Sequence, residues 1–401
     1  MKKSLKILHA VEFYYPSIGG AQEVVRHLSE RMVQAGHDVT IATTKLPNRK
    51  DLIHNGVKIV EFELSGNSVN GIKGNQKPYV DLLKNGGFDI IMTYAAQQWS
   101  TDIFLENLDD IKAAKVLVPC GYSALYDPAY EEFFKSMPGW LKKVDAAVYL
   151  SNDYRDINFA REHGLNNSYV IPNGADETEF TDTLNNEQKS LMRNMYGIGG
   201  LVIMTIGNYT GEKGHLELLN IFKKLPVSKA TLVSAGTLKP HDGCFDEFER
   251  QAAAINNGRR YIGKRVVMLD GTDRRLVRDM LKSADMFVFL SNIEASPLVI
   301  FESAAAGVPF VATAAGNISE LSEWLGSGIV VKTEQRPNGR VKADMKDALW
   351  QITKLAHNKQ RRVALGQKGR NTWKKNYTWD KLTQDYLDLY NKVLKSKGAN
   401  K

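Results

Sequence analysis

The sequence predicts an α/β protein built from two doubly wound parallel sheets in tandem. Three observations carry this. The chain has 401 residues, which suits two domains of about 200 residues better than one. Short apolar runs alternate with stretches whose apolar residues recur at helical spacing, the strand–helix–strand order of a parallel sheet. The order then restarts, because both halves open on a strand, a glycine-bearing turn and an amphipathic helix.

In the first half, "LKILHAV" (5–11) is a buried strand and "YYPSIGG" (14–20) a turn. The next stretch places apolar residues at 21, 24, 25, 28, 32 and 33, one stripe of a helix that Gly36 stops. "HDVTIAT" is the following strand and completes a βαβ unit. Further strands are expected at "VKIVEFE", "FDIIMTY", "KVLVPC", "AAVYLS" and "SYVIP". From about 175 to 197 the chain turns polar and acidic ("ADETEFTDTLNNEQK") and reads as a linker. The second half begins with the strand "GLVIMTIG" (200–207), the turn "NYTGEKG" (208–214) and the helix "HLELLNIFKKL". Later strands are expected at "KATLVSAG", "RVVMLDG", "DMFVFLS" and "VPFVAT". The tail "YTWDKLTQDYLDLYNKVLK" (377–395) lines Leu382, Tyr386, Leu387, Tyr390 and Val393 along one helical face, which needs an apolar surface to dock on.

Composition narrows the function. A net charge of +8 favours acidic partners such as phosphates, nucleotides or anionic lipid, and lysines that merely solvate exposed helices account for it equally well. Two cysteines in unrelated contexts, Cys120 and Cys244, argue against a disulfide framework and suit a reducing cytoplasm. Met-Lys-Lys-Ser followed by "LKILHAVEF" is too short and too polar for a signal sequence, and no apolar run reaches the roughly 18 residues of a membrane span. The basic residues do not interleave with aromatics, so a nucleic-acid role fits poorly. There is no D-x-D and no paired histidine spacing, so no metal and no cofactor are expected. His9, His37 and His163 read as structural or solvated.

The chemistry concentrates in "EASPLVIFE" (294–302), an apolar stretch with a carboxylate at each end. Ser296 suits an N-cap and Pro297 a first helical position, and Gly307 suits a stop. Glu294 then lies in the loop at the carboxyl end of a strand, where open α/β sheets bind ligands. The amides around Leu298 and Val299 lie at a helix start and can hold an anion. Glu302 follows roughly 7.5 Å along the axis, about the distance from a diphosphate to the ribose of the same nucleotide. Taken alone, Glu302 as an ion-pair partner and Glu294 as a solvated loop residue are at least as good an account. The turn "GNYTGEKG" adds glycines and Lys213 in the same half, without the spacing of a Walker A motif.

Four segments in order resemble a family-4 retaining glycosyltransferase of GT-B fold, almost end to end: "YYPSIGGAQEVVRHLSERMVQAGHDVTIAT", "YVIPNGAD" (169–176), "GNYTGEKGH" and the E-x7-E signature in "EASPLVIFESAAAGVPFVAT". The resemblance implies two Rossmann-like domains facing across a cleft. Residues 1–180 would form the acceptor side, joined by a crossover helix at about 377–396, and residues 195–376 the nucleotide-sugar donor side. It implies that Glu302 binds the ribose hydroxyls, that Leu298 and Val299 offer amides to the diphosphate beside Ser296, and that Lys213 neutralises the leaving group. Glu294 would hold the sugar, and Gly19 and Gly20 would let the first domain close over the phosphates. The phosphate loop would include Gly207 and Asn208. The chain departs from the family pattern in three places: Asn208 stands where an arginine is usual, with "DRRLVR" (273–278) as a replacement cation or a solvated helix face; Cys120 stands where a histidine often meets the sugar; and Ala295 and Ser296 replace the commoner glycine and bulky apolar residue.

The implied activity is metal-independent, retaining hexosyl transfer from a nucleoside-diphosphate-sugar to an acceptor hydroxyl in polysaccharide or glycolipid synthesis. A UDP-sugar is favoured over a GDP-sugar because uridine donors are common in that family. The implied partners are this donor and a glycan or lipid-linked acceptor. The basic stretch "NKQRRVALGQKGRNTWKKNY" would suit peripheral contact with an anionic membrane at its cytoplasmic face. Two alternatives stand beside it: another GT-B enzyme, such as a phosphorylase or a sugar-nucleotide epimerase, and a non-catalytic nucleotide-sugar-binding homologue.

Overall fold

The computed structural model describes residues 4–238 and 243–399; the opening Met-Lys-Lys of the stretch weighed as a signal sequence lies outside them. The chain divides into two units, Met1–Asn173 with Trp379–Lys401, and Gly174–Thr378.

In the first unit β1 (Lys6–Ala10), α1 (Gly20–Gln34), β2 (Asp38–Thr44), β3 (Ile53–His54) and β4 (Val57–Phe62) lead into a hairpin of β5 (Ser65–Asn67) and β6 (Gly71–Lys73). There follow α2 (Lys77–Asn85), β7 (Ile90–Tyr94), α3 (Trp99–Glu106), β8 (Ala114–Val118), α4 (Glu131–Lys143), β9 (Ala146–Tyr149), α5 (Arg155–Glu162) and β10 (Ser168–Val170). Among the described residues the main sheet has the order β10-β9-β8-β7-β1-β2-β4-β3. Its pairs are parallel except β3 with β4, which are antiparallel across Asn55–Gly56. β1, β7 and β9 are almost wholly buried, as strands covered by helices on both faces must be.

The second unit contains α6 (Asn186–Met195), β11 (Leu201–Ile206), α7 (His215–Lys224), β12 (Ala230–Gly236), α8 (Gly243–Asn257), β13 (Lys264–Asp270), α9 (Arg274–Ser283) and β14 (Met286–Phe289). It continues with α10 (Leu298–Ala305), β15 (Phe310–Ala312), α11 (Ile318–Leu325), β16 (Gly328–Val330), the hairpin β17 (Thr333–Gln335) and β18 (Val341–Ala343), α12 (Met345–Ala356) and α13 (Lys359–Asn376). Its parallel sheet has the order β13-β12-β11-β14-β15-β16. Two apolar clusters, one holding Val202, Met204 and Phe301 and the other Leu219, Phe248 and Ile352, belong to this unit.

The stretch read as a linker is not one throughout. α6 forms inside it with a reciprocal capping box between Asn185 and Gln188, and Arg193 ties it to Ser283 O and to Asp285 (3.0 Å). The last helix, α14 (Trp379–Ala399), returns to the first unit. Leu382, Tyr386, Leu387, Tyr390 and Val393, the predicted docking face, are all buried. The contact is polar as well as apolar. Tyr390 Oη lies 3.0 Å from His9 Nε2, whose Nδ1 lies 2.8 Å from Ser29 Oγ, and Arg31 pairs with Asp380 at 2.9 Å.

Candidate active site

Doubly wound sheets bind ligands outside the carboxyl ends of their strands, at the point where strand order reverses. In the second unit that point lies between β11 and β14. The loops after these strands, 207–214 and 290–297, carry the predicted residues and are stitched together. Asn292 N donates to Glu212 O (2.7 Å), Ser291 Oγ lies 3.3 Å from the same oxygen, and Arg340 pairs with the Glu212 carboxylate (2.8 Å). Gly214 makes the junction close: it has φ of +70°, and a Cβ there would sit 2.1 Å from Leu290 O. No other residue fits that backbone without moving a strand end.

On this platform Lys213 Nζ lies 2.6 Å from Glu294 Oε1, and Ser291 Oγ donates to the same oxygen at 2.8 Å. The ammonium is therefore held at the strand ends and not loose in solvent. Gly207 packs its Cα face against the Lys213 stem, where a Cβ would come within 3.2 Å of Cγ. Asn208 turns toward β12, and its Oδ1 accepts from Thr237 Oγ at 2.8 Å. Burial lowers the His215 pKa to about 4, so the ring beside this loop is neutral at physiological pH.

α10 begins at Leu298, with Pro297 in the cap position and no side-chain cap bond. The expectation that Ser296 caps the helix and Pro297 opens it is thus corrected. Ser296 Oγ instead accepts from Asn317 Nδ2 (3.1 Å), because Asn317, buried at the start of α11, needs a partner. Leu298 and Val299 are half-buried while Ile300 and the residues after it are buried, so the helix start faces outward. The first amides of a helix have no partner within it. Glu302 sits one turn deeper, 8% exposed, with Oε1 2.6 Å from Arg274 Nη2. Arg274 also grips Glu179 through Nε and Nη2. Of the basic stretch 273–278, Arg274 thus faces the signature carboxylate, while Arg278 pairs with its neighbour Asp279. Nothing in the spacing of the sequence pointed to Glu179 or to the Arg274 pairing.

Gly207, Asn208, Lys213, Glu294, Ser296, Leu298, Val299 and Glu302 therefore belong to one end of the second sheet. Gly19, Gly20 and Cys120 belong to the first unit. Gly19 is extended, Gly20 opens α1, and a Cβ on Gly20 would meet nothing within 4 Å. Cys120 has φ of +58° and stands after β8, next to Tyr94 and Tyr386. Among the described residues five non-glycine residues have positive φ, and four of them (Ala95, Gln97, Cys120 and Tyr122) lie in the loops after β7 and β8. Such strain, on the order of 1–3 kcal/mol per residue, gathers at ligand sites. These loops adjoin the first sheet's own switch point, between β7 and β1. Among the described residues no group of three or more His, Cys, Asp or Glu side chains converges as metal ligands would.

Comparison with known proteins fits this arrangement. Residues 18–179 match the model described as Glycosyltransferase Family 4, and residues 196–372 match Glycosyl transferases group 1. The chain is 24% identical to the N-acetyl-alpha-D-glucosaminyl L-malate synthase of Bacillus anthracis over 95% of this chain and 96% of that one. Among solved structures it resembles the sucrose-phosphate synthase of Thermosynechococcus elongatus (TM-score 0.76, 18% identity, 98% and 100% covered). It also resembles Anabaena HepE in complex with UDP and glucose (TM-score 0.74, 15% identity, 97% and 100% covered). With both halves matched in order and both sheets of the GT-B type, the chain belongs to the group 1, family 4 glycosyltransferases, retaining enzymes that take a sugar from a nucleotide-sugar donor.

Proposed function

We propose that this enzyme holds a uridine-diphosphate-sugar on its second unit and passes the sugar, without a metal, to a hydroxyl of a glycan or lipid-linked acceptor bound on its first. One observation carries the reading: a fixed ammonium, Lys213, shares the end of a doubly wound sheet with the open start of α10, and a carboxylate lies one turn further down. That is the charge pattern of a nucleoside diphosphate written in protein groups. The UDP in the HepE complex favours uridine.

The chemistry follows from the charges. As the anomeric bond to the diphosphate breaks, negative charge grows on the phosphate and the sugar gains oxocarbenium character. Lys213 and the amides of Leu298 and Val299 stabilise the phosphate side, each such donor contributing about 2.7–4 kcal/mol. Glu294, already engaged by Lys213 and Ser291, orients sugar hydroxyls and is a poor nucleophile while so engaged. Glu302 accepts the ribose hydroxyls. The acceptor hydroxyl attacks from the face that the diphosphate leaves, which gives retention.

The strained loops after β7 and β8 support an acceptor site on the first unit. The exposed Lys359, Lys368, Lys374 and Lys375 of α13 suit a cytoplasmic membrane face rich in anionic lipid. Arg362 and Arg370 of the same stretch are occupied with backbone carbonyls. No helix among the described residues is long and apolar enough to cross a membrane.

The test is a thermal-shift panel of nucleoside diphosphates and nucleotide-sugars. A specific donor at a hundred times its dissociation constant stabilises by about 2.7 kcal/mol and raises the melting temperature. Uridine nucleotides should do so most, and Glu302→Gln should weaken the shift. A panel with no shift for any nucleotide refutes the reading.

A further inference from the structure

Arg274 is the first residue of α9, directly after β13, and Asp273 caps that helix through its own side chain (Leu276 N to Oδ1, 3.1 Å). Its guanidinium joins two carboxylates from different parts of the unit. Nε lies 3.1 and 3.0 Å from the two oxygens of Glu179, and Nη2 lies 2.6 Å from Glu302 Oε1. The two carboxylate side chains are 21% and 10% exposed, and that of Arg274 is 43% exposed. The triad therefore opens to solvent on its arginine side.

We infer that Arg274 is a positioning residue for the donor's ribose: it fixes the Glu302 carboxylate to receive the 2′- and 3′-hydroxyls, and Glu179 fixes Arg274. The inference rests on the reading of Glu302 as the ribose acceptor. Three physical points carry it. A glutamate on a helix has three rotatable side-chain bonds, and freezing them at the moment of binding costs affinity; a charge-assisted bond made beforehand removes that cost. A carboxylate has about four lone-pair sites, and Arg274 takes one on Oε1, which leaves enough acceptors for a vicinal diol. A guanidinium can hold two carboxylates in one plane because its fork is rigid, whereas an ammonium at the same place is a point charge. The competing account is a plain structural tie between residue 179 and α9 and α10. It predicts that losing Arg274 lowers stability and weakens every nucleotide alike.

The experiment compares binding of UDP with 2′-deoxy-UDP and 3′-deoxy-UDP by calorimetry on the full chain. The parent should prefer UDP, and Glu302→Gln should lose that preference. Arg274→Met should lose it by about tenfold, the size of one charge-assisted hydrogen bond. Arg274→Lys should restore part of it, and the Arg274→Met, Glu302→Gln double variant should lose no more than Glu302→Gln alone. Glu179→Gln, which leaves both partners of the inner pair in place, should lose part of the preference and serves if Arg274→Met folds poorly. A parental ratio of UDP to 2′-deoxy-UDP affinity in both Arg274→Met and Glu179→Gln overturns the inference. So does a parent that binds UDP and 2′-deoxy-UDP equally, although nucleotide binding itself then stands. A parent that binds no nucleoside diphosphate fails at the functional reading first and takes the inference with it.

Discussion

Gly214 and Gly20 differ in what an added Cβ would meet. Gly214 has φ of +70°, and an added Cβ would lie 2.1 Å from Leu290 O. The left-handed backbone costs an alanine about 1–2 kcal/mol. The contact must also open by about 1 Å against a strand-end carbonyl that cannot swing away, an overpacking cost of about 1–3 kcal/mol. Gly214→Ala should thus destabilise the second unit by about 2–5 kcal/mol, or roughly 4–20 °C for a unit of this size. Gly20, in contrast, is the first residue of α1 with no atom within 4 Å of an added Cβ. Gly20→Ala should leave the first unit as stable as before, or up to about 1 kcal/mol more stable, because alanine is the better helix former. It should still lower sugar transfer at least tenfold if Gly20 is the donor-contacting position that the family resemblance implies. Differential scanning calorimetry with a donor-consumption assay reads both. A Gly214→Ala transition within 1 °C of the parent refutes the packing argument, and full transfer by Gly20→Ala refutes that role.

Other perturbations should behave as follows. Lys213→Met should cut turnover by about 100- to 1,000-fold, as loss of one transition-state donor does, with a smaller change in UDP affinity; an equal loss in both would make Lys213 a binding group only. Glu294→Gln should bind UDP at least as well as the parent, since UDP no longer competes with a carboxylate for Lys213, yet hold the intact UDP-sugar less well; isothermal titration of the two ligands decides it. His9 is buried against Ser29 and Tyr390, and burial holds its pKa down at about 3. The unfolded chain binds a proton near pH 6.5 that the folded chain refuses, so this stability is complete above pH 6.5 and is lost as pH falls toward 3. The full window is worth roughly 4–5 kcal/mol. Asp156, raised to about 6 by burial, acts in the opposite sense between its unfolded and folded values. The difference between the parent and His9→Gln in denaturation from pH 7 to pH 4 is therefore the quantity to measure, and parallel curves would remove His9 from the account.

The fold was legible because strands buried on both faces must be apolar throughout and the helices between them must carry one apolar stripe. Leu382, Tyr386 and Tyr390 could be named as a docking face from spacing alone, and they are buried. What escaped was local chemistry overruled by composition. "LNNEQK" looked like linker because it is polar, yet Asn185 and Gln188 stand at capping-box spacing and start α6. Asn55–Gly56 between "LIH" and "VKI" is likewise a hairpin signal, and both residues take the positive φ that such a turn needs. At Ser296 propensity pointed to a cap, but a buried Asn317 from the next helix took the hydroxyl.

The site divides in the same way. The helix start and the two signature carboxylates were legible because local sequence makes them. Lys213 and the stretch 273–278 were named as cations, but their pairing with those carboxylates was not legible, since Lys213 is 81 residues from Glu294 and Arg274 is 28 from Glu302, and only the fold brings them together. This has a thermodynamic consequence. Each carboxylate of the signature has a cation within hydrogen-bond distance, so on the proposed reading a donor takes a share of an ammonium that is already engaged. For Lys213 the exchange is favourable only if something replaces the ammonium at Glu294, which is 11% exposed. Sugar hydroxyls can do so and a bare nucleoside diphosphate cannot. If the donor binds as proposed, the same ion pair should weaken a bare nucleoside diphosphate relative to the intact donor, which would help the product to leave.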